Sequence, residues 1–168
     1  MTLPWLTRAE EERDVPVIRE INLAAFDSAL EADLVDALRK DPAWIPGLSL
    51  VAELDGIVAG HALFTRCHVD GSPALALAPC AVLPAHQRRG AGSAAIAAGL
   101  AAAHAMGESL VLVLGHPDYY PRFGFSRASI FGIRAPFDAP DEAMMALALD
   151  GSRPVPSGTI AYPTPFTA

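Results

Sequence analysis

Two cysteines, Cys67 and Cys80, are all that the 168 residues contain. That is too few for a disulfide framework or a metal-ligand set, and both read as reduced core thiols in neighbouring strands. Positive charge is also short: 12 Lys and Arg against 19 Asp and Glu leave a formal net charge of -7, which excludes nucleic acid or an anionic membrane as the main partner. No apolar run is long enough to cross a bilayer, since the longest, Ala94 to Met106, is interrupted by Gly99 and His104. No charged-then-apolar leader opens the chain, so the cytoplasm is the expected compartment. Internal repeats and any sign of a second domain are missing too. With 52% apolar residues, disorder and fibrous classes are excluded, and residues 1–168 are expected to form a single domain. Its core should span 1–150, with an irregular tail over 151–168, where Pro, Gly, Ser and Thr concentrate and leave two options, an edge strand or a mobile end.

What the chain does have is one stretch, Ala78 to Ile96, that reads as a buried strand, a basic glycine turn and then a helix. Leu75 to Leu83 is apolar throughout, as a strand covered on both faces would be, and Pro84 stops it. The turn Gln87-Arg88-Arg89-Gly90-Ala91-Gly92 follows, and from Ser93 an alanine-rich run has strong helical propensity. The first turn of a helix leaves backbone N–H groups unpartnered and carries partial positive charge, so glycines there let a diphosphate approach the backbone. Plain helix entry also uses a Gly-x-Gly turn, so the turn alone leaves both readings open. It lacks the Gly-Lys-Ser/Thr of a P-loop and the third glycine of a dinucleotide fingerprint. Arg88, Arg89, His86 and Arg122 could offset the global negative charge around an anion held there.

Around this stretch the pattern predicts a first strand over Leu3 to Arg8. A helix should run from an Asp14 N-cap to about Phe26 on Val17, Ile18, Ile21 and Ala25. A second helix should follow the capping box Ser28-x-x-Glu31, with Leu30, Leu34, Val35 and Leu38 on its apolar face and Asp41-Pro42 as its end. Ala43 to Gly47 reads as a loop, where Trp44 either anchors the loop to the core or closes over a ligand. Strands are expected over Leu48 to Leu54, Ile57 to Val69 and Leu75 to Leu83, joined by Asp55-Gly56 and Asp70-Gly71 turns. After the alanine-rich helix, ending at Gly107, comes a short buried strand, Leu110 to Leu114. A short helix between Pro117 and Gly124 follows, then a closing hairpin over Ile130 to Ala135 and Ala143 to Leu149. Antiparallel hairpins followed by strand, helix, strand give an α/β (α+β) chain with a mixed, mostly antiparallel central sheet and helices on both faces.

Gln87, Gly90 and Gly92, preceded by Ala81-Val82-x-Pro84, resemble the acetyl-CoA pyrophosphate loop of the GNAT superfamily of N-acyltransferases, Gln/Arg-x-x-Gly-x-Gly/Ala. The segment Tyr120-Pro-Arg-Phe-Gly124-Phe125 resembles the same superfamily's Tyr-x-x-x-Gly-Phe. The two motifs together cover residues 75–125, and the form Gly-x-Pro-x-Tyr-Tyr-x-Arg-Phe-Gly-Phe is similar to a poorly characterised bacterial subgroup. The resemblance implies the GNAT fold and an acetyl-CoA-dependent N-acetyltransferase. Such an enzyme moves an acetyl group onto a primary amine by direct attack, with acetyl-CoA as cosubstrate, no metal, and dimers common among its members.

Acyl transfer from a thioester requires donor binding, oxyanion stabilisation, removal of an ammonium proton and protonation of the leaving thiolate. By the resemblance, Arg88, Arg89, Gly90, Ala91, Gly92 and Ser93 cradle the pyrophosphate. Cys80, Ala81 and Val82 lie where such strands splay, so their freed backbone groups pair with the pantetheine arm and one N–H polarises the thioester carbonyl. Pro79 supports a bulge there because it donates no ladder hydrogen bond. Tyr120 is the expected general acid. Many members carry a glutamate base on the strand after the cofactor helix, but here that position is Leu114. Of Glu53, His61, His68, His116 and Asp118, the polar groups expected near the cleft, His116 at the strand's end is the candidate base, with a proton relay through water as the other option. Asp138, Asp141 and Glu142 could attract a cationic substrate or simply be solvated. The acceptor is open among peptides, polyamines, aminoglycosides and small metabolites. The same scaffold with a larger acyl donor or an oxygen acceptor, and an acyl-CoA sensor without turnover, are the alternative functions.

Overall fold

A computed structural model describes residues 4–167 of the chain. Its elements are β1 (Leu6–Ala9), α1 (Val15–Ala25), α2 (Leu30–Arg39), β2 (Trp44–Leu54), β3 (Ile57–Val69), β4 (Ser72–Val82), α3 (Ala91–Ala105), β5 (Leu110–Leu114), β6 (Ser126–Arg127), β7 (Ile133–Arg134), β8 (Met144–Ala148) and β9 (Gly158–Ala161), with short 3-10 turns between several of them. The expected start of the first strand at Leu3 lies outside the described residues; the strand itself begins at Leu6.

The main path of the sheet runs β1-β2-β3-β4-β5-β8-β6, antiparallel except where β5 lies parallel to β4; off this path, β9 joins β3 and β7 lies parallel to β9. The two Asp-Gly turns fall where the pattern puts them. Asp55 and Gly56 have φ of 53 and 79, and Asp70 and Gly71 have 48 and 79, the left-handed pair that matches strand twist in a tight hairpin. Alternate residues then divide the faces. Leu50, Ala52, Ala62 and Phe64 meet α3 on one side; Val51 and Leu63 meet α1 and α2 on the other. Alanines and glycines bring α3 close to the sheet: a Cβ on Gly99 would collide with the Phe64 ring, and one on Gly60 would sit 3.1 Å from Ala91 Cβ.

Several expectations are corrected. Trp44 to Gly47 belongs to β2, not to a loop. The pairing jumps from Trp44↔Thr65 to Ser49↔Leu63, and this irregularity accommodates Pro46 and Gly47 inside a strand. Trp44 packs against the α1–α2 cluster, with the Arg39 guanidinium 5.2 Å from its ring centre, so it anchors. Asp14 precedes α1 but turns its carboxylate back, accepting from Glu11 N at 2.7 Å and from Arg8 Nη1 at 2.6 Å. The second helix starts later than the Ser28 capping box implies, at Leu30, which is exposed; Ala32, Val35 and Leu38 form its buried stripe. The closing hairpin does not form. β8 pairs β5 and β6, while β7 is only two residues long and pairs β9. β9 lies in the tail, where residues 151–157 are irregular but Ala161 and Ile160 pair with His68 and Val69 of β3. The tail therefore adds a strand, but not at an edge: β9 lies between β3 and β7, and Ile160 enters the core formed by Cys67, Ala76, Leu112 and Ile133.

One polar network is sealed inside. His61, fully buried, meets Ser49 Oγ at 2.9 Å through Nε2 and Asn22 Nδ2 at 3.4 Å through Nδ1, while Ser49 Oγ donates to Glu10. Burial holds the imidazole neutral, at about 3. The serine proton belongs to Glu10, so the arrangement braces β2, β3 and α1 and supplies no nucleophile.

Candidate active site

β4 and β5 are in register over only Leu75↔Val111 and Ala76↔Leu112. Beyond those pairs β4 continues to Val82 on β3 alone, and β5 continues to Leu114 on β8. The parallel strands thus splay apart, and peptide groups of residues 77–82 that do not face β3 have no β5 partner. A bulge marks the same place: Ala78 and Pro79 together oppose Leu63, since the register shifts between Ala62↔Cys80 and Phe64↔Leu77. Pro79 has no N–H to lose there.

At the far end of β4 the glycine turn does what its composition predicts. Arg88 and Gly90 adopt positive φ of 65 and 90, so the chain curls before entering α3. The first intrahelical bond across this junction is donated by Ala94 to Gly90 O at 2.9 Å. Among the described residues, the N–H groups of residues 88–93 donate to no protein acceptor. They open onto a cleft of about 480 Å³ lined by Val82, Gln87, Arg88, Gly90 to Ser93, Tyr119 and Arg122. Convergent N–H groups at the start of a 15-residue helix, with two arginines beside them, suit a diphosphate. The residues present therefore fit the phosphate end of a CoA ester.

Two residues, one lining this cleft and one beside its turn, carry no signal in the motif itself. Tyr119, not Tyr120, forms its wall. Tyr119 Oη lies 2.6 Å from Ser93 Oγ, its ring sits 4.3 Å from the Arg122 guanidinium carbon, and burial raises its pKa. Trp5 donates from Nε1 to Arg89 O at 2.7 Å and so ties the first strand to the turn. Arg89 is exposed and outside the cleft lining; it contributes this carbonyl.

Tyr120 lies behind Tyr119, where the chain turns after β5. Its ring packs edge-on against Tyr119 and Phe125, and an added Cβ on Gly115 would collide with it, so the approach requires glycine. Gly124, at φ 101, ends the 3-10 turn Tyr120–Phe123, which is shorter and starts later than the helix expected from Pro117. Burial pushes the Tyr120 phenol well above the ordinary tyrosine range, so it keeps its proton. Burial also pushes Cys80 up to about 12, which leaves a thiol, not a thiolate. The other polar candidates separate. Glu53 accepts from Arg8 Nε at 2.9 Å, His61 is sealed in the core, and His68, His116 and Asp118 are exposed. The His116 carbonyl accepts from Tyr119 N at 3.1 Å, while its side chain is exposed just past the end of β5 and does not line the cleft.

A second cavity, about 650 Å³, opens on the opposite face of the sheet. Its floor is Ala76 and Leu112, the last registered pair before the splay, and Leu114, Phe137, Tyr162 and Phe166 rise around it. Leu114, 47% exposed, stands at its edge. Nothing in the sequence gathers these residues, which come from four separate segments.

Residues 15–125 match the model of the acetyltransferase (GNAT) family. The uncharacterised N-acetyltransferase YjhQ of Escherichia coli K12 is 42% identical over 137 residues, covering 79% of this chain and 76% of that protein. Among solved structures, the GNAT family N-acetyltransferase YhbS from Escherichia coli in complex with CoA superposes with a TM-score of 0.91 at 29% identity, covering 100% of this chain and 94% of that one. A GNAT family acetyltransferase from Brucella melitensis in complex with acetyl-CoA gives 0.80 at 33% identity, covering 96% and 97%.

Proposed function

This chain belongs to the acetyltransferase (GNAT) family, and on that premise we propose that it transfers an acetyl group from acetyl-CoA to a primary amine by direct attack. The observation that carries the reading is the run of unpartnered N–H groups at residues 88–93, set at the end of a strand that has lost its parallel neighbour. The cradle holds the pyrophosphate through Gly90 to Ser93, with Arg88 and Arg122 adding charge and Gln87 closing the side. The thioester end follows the splay, where the free peptide groups of Cys80, Ala81 and Val82 orient it and one N–H polarises its carbonyl.

In the reaction the amine nitrogen bonds to the carbonyl carbon as the carbon–sulfur bond breaks. Tyr120 gives its proton to the sulfur in concert with carbon–sulfur cleavage and recovers one from solvent; its phenol is protonated and so able to donate, although burial makes it a weaker acid than a free tyrosine. The nitrogen sheds its proton toward His116 or through water to solvent; the support for His116 is its exposure just past the end of β5. A cysteine acyl-enzyme is disfavoured because Cys80 stays a thiol. The expected compartment remains the cytoplasm; among the described residues no helix is long and apolar enough to cross a membrane.

Isothermal titration with acetyl-CoA tests the donor half: a micromolar dissociation constant is expected, and no detectable heat at high micromolar concentration would sink the reading. A thiol-release assay across an amine panel tests turnover. Binding without release from any amine would instead favour an acyl-CoA sensor, the alternative that Leu114 in place of an acid keeps in view.

A further inference from the structure

Resting on that acetyltransferase reading, we infer that the cavity on the opposite face of the sheet selects the acceptor, and that the acceptor is a primary amine carried on an aromatic side arm with no second charge. Position comes first. The cavity's floor, Ala76 and Leu112, is also the last paired step of the two strands, so a molecule seated there reaches the opening where the thioester would lie.

Chemistry comes second. Among the described residues, no Asp, Glu, Lys, Arg or His lines the cavity, and Tyr162, the one titratable side chain of that lining, is pushed up to about 12 by burial and stays neutral. A second ammonium, a carboxylate or a set of sugar hydroxyls would lose water there without gaining a partner. Polyamines, amino acids and aminoglycosides are therefore rejected by the wall itself. The acidic residues Asp138, Asp141 and Glu142 do not enter the lining, and Asp141 is taken up by Arg127 at 3.0 Å.

Shape comes third. The rings of Phe137 and Tyr162 lie nearly parallel, 6.0 Å apart at 21°, and Phe166 is tilted against Tyr162 at 5.3 Å. Phe137 leaves 49% of its surface uncovered at this wall. A flat aromatic group covers that ring and extends the row, whereas a flexible alkyl chain gains only the area. The volume, about 650 Å³, is in the range of pockets that enclose a small organic molecule.

The test begins with the protein saturated with CoA and titrated calorimetrically with phenethylamine, hexylamine, L-phenylalanine, spermidine and kanamycin; kcat/KM is then measured for each with acetyl-CoA. Phenethylamine should bind the CoA-loaded protein, and its kcat/KM should exceed that of spermidine and L-phenylalanine by tenfold or more, about 1.4 kcal/mol. Preference for spermidine, kanamycin or L-phenylalanine, or failure of phenethylamine to bind, overturns the inference while leaving the acetyltransferase reading intact. Hexylamine equal to phenethylamine overturns its aromatic part. A separate titration with acetyl-CoA alone identifies failure of the reading, which takes the inference with it. Phe137→Ala, at an exposed ring, should raise the KM for phenethylamine about fivefold and that for hexylamine less.

Discussion

The cleft at the start of α3 offers a ligand backbone N–H groups and arginines, whereas the cavity on the other face offers hydrocarbon and aromatic rings. Both draw on β4, Val82 in the first and Ala76 to Ala78 in the second. The difference teaches how the two ligands are told apart. The first site reads charge through groups that every residue possesses, so its side chains mainly have to stay out of the way. The second reads shape and the absence of charge, so its side chains are the whole of its chemistry. Tyr120 is in the lining of neither.

The sharpest way to test that division is to change Tyr120. Tyr120→Phe keeps the ring that Gly115 and Phe125 enclose and removes only the proton donor. We expect kcat to fall about a hundredfold with dissociation constants for acetyl-CoA and for the amine unchanged. Steady-state kinetics beside calorimetry checks this, and unchanged turnover would remove the tyrosine from the mechanism. A smaller effect should separate the sites. Gly90→Val forces a branched residue into φ 90 and turns the N–H groups away from the cradle. Acetyl-CoA affinity should drop about thirtyfold, roughly 2 kcal/mol, while amine binding to the apolar cavity holds. Loss of both together would mean that the two cavities are not independent. The smallest effect should touch neither site. His61 titrates near 6.5 when unfolded and near 3 when folded, so below pH 6.5 the unfolded chain binds the extra proton and stability falls as pH falls. Between pH 6 and 5 this group contributes a loss of about 1.4 kcal/mol per unit. Urea melts of the native protein and of His61→Asn should show that slope in the first and its absence in the second. Equal slopes would mean that the ring is not held neutral.

The same contrast explains what was legible in the sequence. A cradle made of backbone needs glycines at fixed offsets within one turn and a helix directly after, so Gln87 to Ser93 could be read contiguously. The Asp-Gly hairpins and the strand-helix-strand unit were legible for the same local reason. The apolar cavity is assembled from residues 76–78, 112–114, 136–137 and 160–167, which only the sheet order brings together. A strand in the tail stays one of two options in the sequence because the proline-rich segment has no alternating run, and β9 exists through pairing with the overhanging end of β3. β2 was read too short because Pro46 and Gly47 signal a break, and the irregular pairing there absorbs them. Tyr119 and Trp5 act through an Oη···Oγ contact with Ser93 and a carbonyl contact with Arg89, neither of which has a spacing to recognise.

β9 and the turn after it carry a consequence for how such a protein can change. Ile160, Tyr162 and Phe166 build one wall of the apolar cavity, and no residue of this segment touches the donor cleft. The segment joins the sheet through two registered pairs to β3 and two to β7. On the proposed roles of the two cavities, exchanging this stretch of about ten residues would re-specify the acceptor while leaving the donor cleft unaltered.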